Sequence, residues 1–407
     1  MSGGNDNPTD DQPVIVLPGS LPKRRPLTVG RSPSCDVVLD DGGVSREHLE
    51  LAYDGAAWTF RCLGANNGSY LDGVRIDGAT ETSSPRCLRL GRDTLLTPVA
   101  DIAPYLEREL RVDGGLVIGP LVGAAYATIA EAAAAGLPVL IRGETGTGKA
   151  DAAAHYARSC GRQIVPINVA LATSAIAPST LFGSKKGAFS GADADREGWF
   201  GAAHGKVLFL DELGELPLEV QAMLLHAVET GEILPVGANA PRKVDVHVVA
   251  ATNVDLEGSV AAGKFRSDLL ARLEKRSIVL SPLRERRADV PWMIHTMIAA
   301  HAVKRRKAAL PITAGLAEAC MLHPWPRNAR QLDTAVGRAL EIAWTAGAEA
   351  VGLGHCEELR EASGGHGEEA PKRAALREAY ERLGSVRKAA EEVGIAKSTA
   401  GEWLKKK

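Results

Sequence analysis

A glycine-rich stretch at residues 143–149, with the sequence GETGTGK, has the residue types and spacing that a phosphate-binding loop (P-loop) needs. Glycines let backbone N–H groups curl around a phosphate, and the Lys149 ammonium supplies positive charge for the β- and γ-phosphates. The stretch follows an apolar, strand-like segment at 138–141 and precedes a helical pattern at 150–159. This context predicts nucleotide binding by the following positions: Gly143, Glu144, Thr145, Gly146, Thr147, Gly148, Lys149 and Ala150.

Two adjacent carboxylates, Asp211 and Glu212, follow the apolar run at 207–210. A strand that ends in paired carboxylates suits Mg²⁺ binding by Asp211 and activation of a water molecule by Glu212. Together with the P-loop, the pair predicts hydrolysis of ATP with Mg²⁺ as cofactor. Position 150 is alanine where Ser or Thr normally offers Mg²⁺ a hydroxyl, so we expect water to fill that coordination position.

The elements that must position these residues alternate between helical and apolar strand-like segments from about residue 116 onward. Such alternation predicts an open parallel sheet flanked by helices. We expect an α/β P-loop ATPase domain at 113–348, whose α/β part covers 113–285 and whose helical lid covers 286–348.

The segments on either side of this α/β domain have different sequence patterns. Residues 12–103 contain short β-prone runs, at 26–30, 36–39, 48–53 and 58–62, separated by Gly, Asp, Asn and Pro, which predicts an all-β sandwich. Residues 349–371 have the composition of a linker, and 372–407 of a small all-α module. The module holds ten Lys and Arg against five Glu, a net charge of +5, which favours a phosphate-backbone partner.

With the two nucleotide motifs placed, residues 118–347 resemble the central AAA+ domain of sigma-54-dependent activators, the bacterial enhancer-binding proteins. The most specific match is LFGSKKGAFSGA at 181–192, which is similar to the family's LFGxxKGAFTGA surface loop, with Ser190 in place of threonine. The resemblance implies that this loop contacts sigma-54 RNA polymerase. The contacting residues would be Gly187, Ala188, Phe189, Ser190, Gly191 and Ala192.

The resemblance also implies roles around the nucleotide. Asn168 matches the asparagine that pairs with the catalytic glutamate, here Glu212, and Asn253 matches the sensor asparagine near the γ-phosphate. The stretch WPRNARQL at 325–332 is similar to the family's WPGNVREL, which places Arg330 at the second sensor position and Arg327 where glycine is usual.

Two further matches concern assembly. Arg266 and Arg272 correspond to arginines that reach into a neighbouring subunit's site, where a guanidinium stabilises charge on the transferring phosphoryl group. The resemblance therefore implies a homo-oligomeric ring, typically a hexamer. By composition alone, either arginine would more often be a solvated helix charge.

The β-rich segment resembles a forkhead-associated (FHA) domain. The matching motifs are Gly30-Arg31, Ser45-Arg46-Glu47-His48, Asn67-Gly68-Ser69 and Asp72-Gly73. The resemblance implies binding of a phosphothreonine protein or peptide, with Arg31 and Ser45 on the phosphate and Asn67 on the peptide backbone. Arg46 and Asn66 are secondary candidates, and His48 is expected to brace the loop. A purely structural β-domain is the alternative.

In the basic module, residues 385–400 resemble a Fis-type helix-turn-helix, which implies binding to enhancer DNA. The expected DNA contacts are Lys397, Ser398, Thr399 and Glu402. An amphipathic tail helix is the alternative.

Composition excludes several other classes of protein. A formal net charge of -2 argues against a uniformly basic surface. Six widely spaced cysteines form no CxxC pair, which argues against a zinc site and favours a reduced, cytoplasmic setting. The polar, acidic residues 1–11 predict no signal peptide, and no stretch predicts a membrane span.

The function expected from these features is ATP-driven activation of sigma-54 transcription, controlled by phosphothreonine recognition. One rival is an ATPase-deficient DNA-binding scaffold, which Ala150 favours and the intact Lys149, Asp211 and Glu212 oppose. A second rival is a regulator that acts without sigma-54, which the retained GAFSGA loop opposes.

Overall fold

The computed structural model describes residues 25–99, 103–107, 110–113, 115–171, 176–189 and 192–359. The described chain divides into two compact units. Residues 103–289 and 324–332 form the first, which we call the α/β unit. The second, which we call the sandwich unit, holds the remaining described residues at 25–99, 290–323 and 333–359.

The amino-terminal part of the sandwich unit consists of nine short strands in two sheets, of orders β2-β1-β3-β4-β7 and β6-β5-β8-β9. The strands are β1 Leu27–Gly30, β2 Val37–Val38, β3 Leu49–Tyr53, β4 Trp58–Cys62, β5 Ser69–Leu71, β6 Val74–Ile76, β7 Ala79–Thr82, β8 Leu88–Leu90 and β9 Thr94–Leu96. Alternating residues such as Val29, Phe60 and Leu90 are fully buried between the sheets. The four β-prone runs of the sequence coincide with β1 to β4.

The α/β unit is built on a five-stranded parallel sheet of order β13-β14-β17-β12-β18. Its strands are β12 Val139–Arg142, β13 Ile164–Asn168, β14 Lys206–Asp211, β17 Val246–Thr252 and β18 Ser277–Val279. Two antiparallel pairs lie outside it: β10 Arg111–Asp113 with β11 Leu116–Ile118, and β15 Glu232–Ile233 with β16 Arg242–Lys243. The sequence pattern did not predict β18.

Helices of the α/β unit cover both faces of this sheet. They are α1 Ala103–Glu107, α2 Pro120–Ala134, α3 Lys149–Ser159, α4 Ala177–Phe182, α5 Trp199–Ala202, α6 Leu218–Thr230, α7 Leu256–Ala261 and α8 Ser267–Leu273. Along β12, Leu140 enters the apolar cluster on one face while Val139 and Ile141 enter the cluster on the other. A strand buried on both faces is apolar throughout, which explains the continuous hydrophobic runs in the sequence.

Three helices follow the sheet, as the predicted lid requires: α9 Val290–Arg305, α10 Ala314–Leu322 and α11 Asn328–Thr345. The packed chain continues beyond residue 348, where the sequence predicted a linker. Val351 and Cys356 are buried, and Val351 forms a bridge with Ile312. No helix within the described ranges is long and apolar enough to cross a membrane. The predicted helix-turn-helix lies outside the described residues.

A buried ion pair marks the junction at the end of the α/β unit. Arg286 and Asp289 are 5% and 2% exposed, and Arg286 Nη1 lies 3.8 Å from Asp289 Oδ2. The Asp289 carboxylate fills the space in front of Gly119, because a Cβ there would lie 1.8 Å from Oδ1. Burial raises the pKa of Asp289 to about 6, although Arg286 acts in the opposite direction.

A folded-state pKa above the ordinary value of 3.8 means that Asp289 stabilises the fold when protonated. Its contribution is complete below the unfolded-state pKa and is lost as the pH rises through 6. We therefore expect Asp289→Asn to become more stable relative to the natural protein between pH 4 and 7, by up to about 3 kcal/mol. Urea unfolding across this range measures the difference, with exposed Asp193→Asn as control. Parallel pH profiles for Asp289→Asn and the natural protein would contradict the assignment.

Candidate functional site

The P-loop and three other predicted site residues lie at the carboxyl ends of strands of the parallel sheet. The P-loop follows β12, Asp211 ends β14, Asn168 ends β13, and Asn253 comes directly after β17. Parallel strands end at one edge of a sheet, and this edge is where α/β proteins bind ligands. Because β17 lies between β12 and β14, Asn253 stands between the P-loop and Asp211.

The P-loop leads into the first turn of α3, so its N–H groups and the helix dipole favour an anion. Gly146 and Gly148 have φ of 80° and 100°, values that side-chain-bearing residues rarely adopt. Lys149 is 8% exposed, and its Nζ donates to the carbonyl oxygens of Gly143, at 2.9 Å, and Glu144, at 3.2 Å. Burial lowers the pKa of Lys149, while Glu212 and Asp211 raise it.

The carboxylates of Asp211 and Glu212 interact electrostatically with Lys149. The backbone of Glu212 is unusual. Glu212 has φ of 59°, a left-handed conformation that is costly outside glycine. Its N–H donates to Asp211 Oδ1 at 3.1 Å, which holds the carboxylate of Asp211 at the end of the strand. The geometry thus places the two acids on a sharp turn at the sheet edge.

The two predicted asparagines differ in their contacts. Asn253 Nδ2 donates to Thr145 Oγ1 at 3.3 Å, which ties the sensor position to the P-loop. Asn168 Oδ1 accepts from the N–H of Ala170 at 2.9 Å. Within the described part of the chain, Asn168 makes no hydrogen bond with Glu212, so the pairing that the resemblance implied is not formed in this structure.

The residues fit binding of a nucleotide with Mg²⁺. The described residues contain no group of three or more His, Cys, Asp or Glu side chains that could enclose a metal by themselves. Mg²⁺ in nucleotide sites is bound mainly by phosphates and water together with one or two carboxylates, a part that Asp211 can supply. Ala150, exposed at the start of α3, offers no oxygen ligand.

The side chain of Glu144, which the sequence placed in the nucleotide site, is engaged on the other side of the loop. Its carboxylate accepts from Arg284 Nη1 and Nη2, at 2.8 and 2.7 Å, and from Asn328 Nδ2, at 3.1 Å. The hydrogen bonds from Arg284, then the one from Asn328, lower the pKa of Glu144 to about 2. Any contact of Glu144 with nucleotide therefore falls to its backbone.

Asn328, at the start of α11, is a contact that sequence reasoning missed. It is fully buried; its Oδ1 accepts from the N–H of Leu283 at 2.7 Å, and its Nδ2 also donates to the Thr145 carbonyl at 3.0 Å. The next residue, Ala329, donates its N–H to the Gly146 carbonyl at 3.0 Å. The first turn of α11 therefore packs directly on the P-loop.

This packing explains one glycine and one predicted sensor. A Cβ at Gly146 would lie 2.1 Å from the Arg327 carbonyl and 3.2 Å from the Cβ of Arg330. The Cβ of Arg330 therefore lies beside the loop. The arginine at position 327, unusual for the motif, contributes its backbone at this point.

Arg286 is a third residue that holds the loop. It is 5% exposed, and its Nη2 donates to the Thr147 carbonyl at 3.1 Å. The partners of Arg284 and Arg286 lie about 140 residues earlier in the chain. Spacing could not reveal these pairs.

Of the two predicted intersubunit arginines, Arg272 lies on α8 and Arg266 caps its start. Arg266 precedes the helix, its N–H donates to Gln221 Oε1 at 2.8 Å, and its guanidinium pairs with Asp268 at 2.6 Å. Arg272 has a buried Nε without a hydrogen-bond partner among the described residues. The structure brings neither side chain into hydrogen-bonding contact with the described P-loop residues.

The predicted sigma-54 loop projects from a defined base. Ser184 forms bridges with Arg196 and Val236, and the Gly187 N–H donates to the Ala192 carbonyl at 2.8 Å. Phe189 follows the short turn at Ala188 and is 43% exposed, which is unusual for an aromatic side chain. Ser190 and Gly191 lie outside the described residues. The apolar ring of Phe189 is therefore exposed beside the hydrogen bond that joins Gly187 to Ala192.

In the sandwich, three predicted phosphopeptide residues surround one loop. Arg31 Nε donates to the Val44 carbonyl at 3.4 Å, and Asn67 Nδ2 donates to the Gly43 carbonyl at 2.9 Å. Ser45 follows, and its N–H donates to Nδ1 of the fully buried His48 at 3.0 Å. Arg46 and Asn66, the secondary candidates, are exposed and directly adjoin Ser45 and Asn67 in the sequence.

His48 braces these loops. Its Nε2 lies 3.0 Å from the carbonyl oxygen of Gly68, and burial lowers the pKa of its ring, which favours the neutral form. The predicted DNA contacts, Lys397, Ser398, Thr399 and Glu402, lie outside the described residues.

Comparisons with protein families match three parts of the chain. Residues 119–279 match the Sigma-54 interaction domain, residues 284–364 the AAA+ ATPase lid domain, and residues 27–91 the FHA domain. The chain therefore contains an FHA domain and an AAA+ ATPase domain of the sigma-54 interaction type.

Three curated relatives are similar to this chain over part of its length. The nitric oxide reductase transcription regulator NorR1 of Cupriavidus necator is 42% identical over 207 residues, which cover 50% of this chain and 40% of the relative. The Nif-specific regulatory protein of Herbaspirillum seropedicae is 36% identical over 62% of this chain and 47% of its own length. The sigma-54-dependent transcriptional regulator SfnR of Pseudomonas fluorescens is 35% identical over 59% of this chain and 66% of its own.

Among solved structures, the crystal structure of NtrX from Brucella abortus in complex with ATP is similar with a TM-score of 0.53 and 28% identity. The match covers 72% of this chain and 69% of that chain. This chain spans about half the length of the first curated relatives that it matches.

The contacts behind the P-loop generate a prediction. Loss of the Glu144–Arg284 pair, which is about 40% exposed, should loosen the loop and weaken nucleotide binding. We expect Arg284→Ala to raise the Kd for a fluorescent ADP analogue about fivefold, corresponding to roughly 1 kcal/mol.

The doubly substituted protein Glu144→Arg/Arg284→Glu should recover part of this affinity, because it restores an opposite-charge pair. The matched control is Arg276→Ala, which removes an exposed arginine of the same unit. Equal affinities for Arg284→Ala and the natural protein would refute a positioning role.

Proposed function

We propose, on the premise that the chain carries an AAA+ sigma-54 interaction domain and an FHA domain, that it hydrolyses ATP to activate transcription by sigma-54 RNA polymerase. One observation carries the proposal: a single compact unit contains both the P-loop with its neighbouring acidic pair and the exposed side chain of Phe189. A nucleotide site coupled to an exposed apolar contact is what a remodelling ATPase needs.

The chemistry assigned to the site follows from its geometry. The P-loop N–H groups and Lys149 bind the phosphates, Asp211 supplies a carboxylate for Mg²⁺, and Glu212 activates the attacking water. Asn253, hydrogen-bonded to Thr145, is placed to respond to the γ-phosphate. Asn168 acts with Glu212 in this proposal by a change of its side-chain partner from Ala170.

Assembly completes the site in the proposal. Arg266 and Arg272 are contributed to a neighbouring subunit of a homo-oligomeric, hexameric ring, where a guanidinium stabilises transition-state charge. Support comes from the accessibility of Arg266, whose side chain is 40% exposed in its pair with Asp268. Arg330 contacts the nucleotide from the start of α11.

Two recognition functions complete the proposal. The FHA domain binds phosphothreonine proteins through Arg31, Ser45 and Asn67, with Arg46 and Asn66 at the margin, and so receives a kinase signal. The basic segment at 372–407 binds enhancer DNA through Lys397, Ser398, Thr399 and Glu402.

A second candidate is a scaffold that binds DNA and phosphopeptide without hydrolysing ATP. The observation in its favour is Ala150, which leaves Mg²⁺ without its usual hydroxyl. A measurement of ATP turnover distinguishes the ATPase from the scaffold.

Glu212 is the residue that activates water for ATP hydrolysis in this proposal. Glu212→Gln removes the general base but keeps the size of the side chain, so we expect ATP turnover to fall at least about a hundredfold while ADP-analogue binding is retained. Phosphate release measures turnover, and exposed Glu229→Gln is the control. Turnover that is equally slow in the natural protein and in Glu212→Gln would favour the scaffold.

Phe189 is the contact with sigma-54 RNA polymerase in this proposal. Phe189→Ala removes an exposed ring whose side chain supports no core, so the protein should remain folded and should hydrolyse ATP normally. We expect ATP-dependent open-complex formation by sigma-54 RNA polymerase to be lost. Exposed Leu171→Ala is the control, and unchanged promoter opening by Phe189→Ala would sink the proposed contact.

A further inference from the structure

The outer face of strand β8 is covered although the sandwich core lies on its other side. Leu88 and Leu90 point into that core and are 1% and 0% exposed. Because side chains alternate along a strand, Cys87 and Arg89 point outward. Yet Cys87 is fully buried, and the Arg89 side chain is only 18% exposed.

Lid helix α10 of the same unit covers this face. Arg89 Nε lies 2.7 Å from Glu318 Oε2, and Cys87 Sγ lies 3.9 Å from Met321 Sδ. A Cβ at Gly73, beyond the β5 end of the sheet, would lie 3.5 Å from Leu322 Cδ1. The FHA sheet thus contacts the last two turns of α10.

The buried carboxylate of Glu318 on α10 depends on Arg89 for its counter-charge. The Glu318 side chain is 7% exposed and lies between buried Ala317 and Cys320. A carboxylate at such a position is costly unless a cation pairs with it, and Arg89 is that cation. The sandwich holds Arg89 in place, because its guanidinium stacks 3.7 Å above the Tyr70 ring and Nη1 donates to the Gly91 carbonyl at 3.0 Å.

The same strand is tied to the predicted phosphopeptide loops. The Gly91 N–H, two residues after Arg89, donates to the Gly68 carbonyl at 3.0 Å. A Cβ at Gly91 would lie 2.5 Å from the carbonyl oxygen of Gly43, which also accepts from Asn67. On β9, Thr94 donates to Asp41, whose carboxylate also accepts from the Gly43 N–H.

We propose that the outer face of β5, β8 and β9 is an interaction surface for α10, through which phosphothreonine binding at the FHA loops changes the rate of ATP hydrolysis. The inference deepens the proposed function and rests on it. Five residues, 323–327, separate α10 from α11, and the first residues of α11 contact Thr145 and Gly146 of the P-loop. The Arg89–Glu318 pair is the connection between signal and lid.

The test uses the full chain and a peptide mixture that contains one phosphothreonine with randomised flanks; the unphosphorylated mixture is its control. We expect the phosphorylated mixture to change the ATPase rate of the natural protein at least about fivefold. In Arg89→Ala this dependence should disappear, while the affinity for the mixture stays unchanged. Arg89→Glu/Glu318→Arg should restore it in part.

Arg61→Ala is the matched control, since Arg61 pairs with Glu50 on the opposite sheet at 3.6 Å and is exposed. This variant should keep the full peptide dependence. If the peptide alters Arg89→Ala and the natural protein equally, or alters neither although both bind it and hydrolyse ATP, the coupling is overturned and the proposed function stands. Absence of peptide binding or of hydrolysis in the natural protein refutes the proposed function instead.

A second measurement needs no peptide. Thermal unfolding of Arg89→Ala, Glu318→Ala and the double variant forms a double-mutant cycle. The double variant should shift the melting temperature by much less than the sum of the single shifts. Additive shifts would show that the two side chains do not interact and would overturn the interaction surface.

Discussion

The buried side chain of Asn328 joins three parts of the α/β unit that are far apart in the sequence. It accepts from Leu283 after the sheet and donates to Glu144 and Thr145 in the P-loop, while it begins helix α11. A fully buried amide must use its hydrogen-bonding capacity, so all of these segments are held in one arrangement. The left-handed backbone of Asn328, with φ of 52°, is stable because these bonds fix it. The shape of the nucleotide site depends on this residue.

The charged residues near Asn328 and the P-loop form two separate sets. Glu144 pairs with Arg284, whereas Asp211 and Glu212 act electrostatically on Lys149. Burial makes the charge on Lys149 expensive, and the two carboxylates offset this cost. A bound phosphate would serve the same purpose for the ammonium, which is why a partly buried lysine suits a site for anions. Glu212 directly follows β14, with a strained left-handed backbone.

The FHA domain shows a different constraint, close approach of backbone. Gly30 lies so near the Arg46 carbonyl that a Cβ would come within 2.2 Å, and Gly91 is as tightly placed against Gly43. Only glycine permits these contacts, and they join the loops with Arg31, Ser45 and Asn67 into one closely packed group. Because β8 belongs to that group and also carries Arg89, a change in the loops has a short route to α10.

The sequence by itself determined the β-rich segment ahead of an α/β domain, the parallel sheet, the P-loop, the acidic pair and the exposed position of Phe189. These features depend on local patterns: apolar periodicity, glycines at fixed spacing and short motifs. It also led to an expected Asn168–Glu212 pairing that is not formed here, because a side chain can satisfy itself locally, as Asn168 does with Ala170. Only the tertiary structure decided where Glu144 points, what Asn328 holds and what covers Arg89. Their partners lie 140, 184 and 229 residues away in the chain, and a sequence pattern carries no distance across such separations.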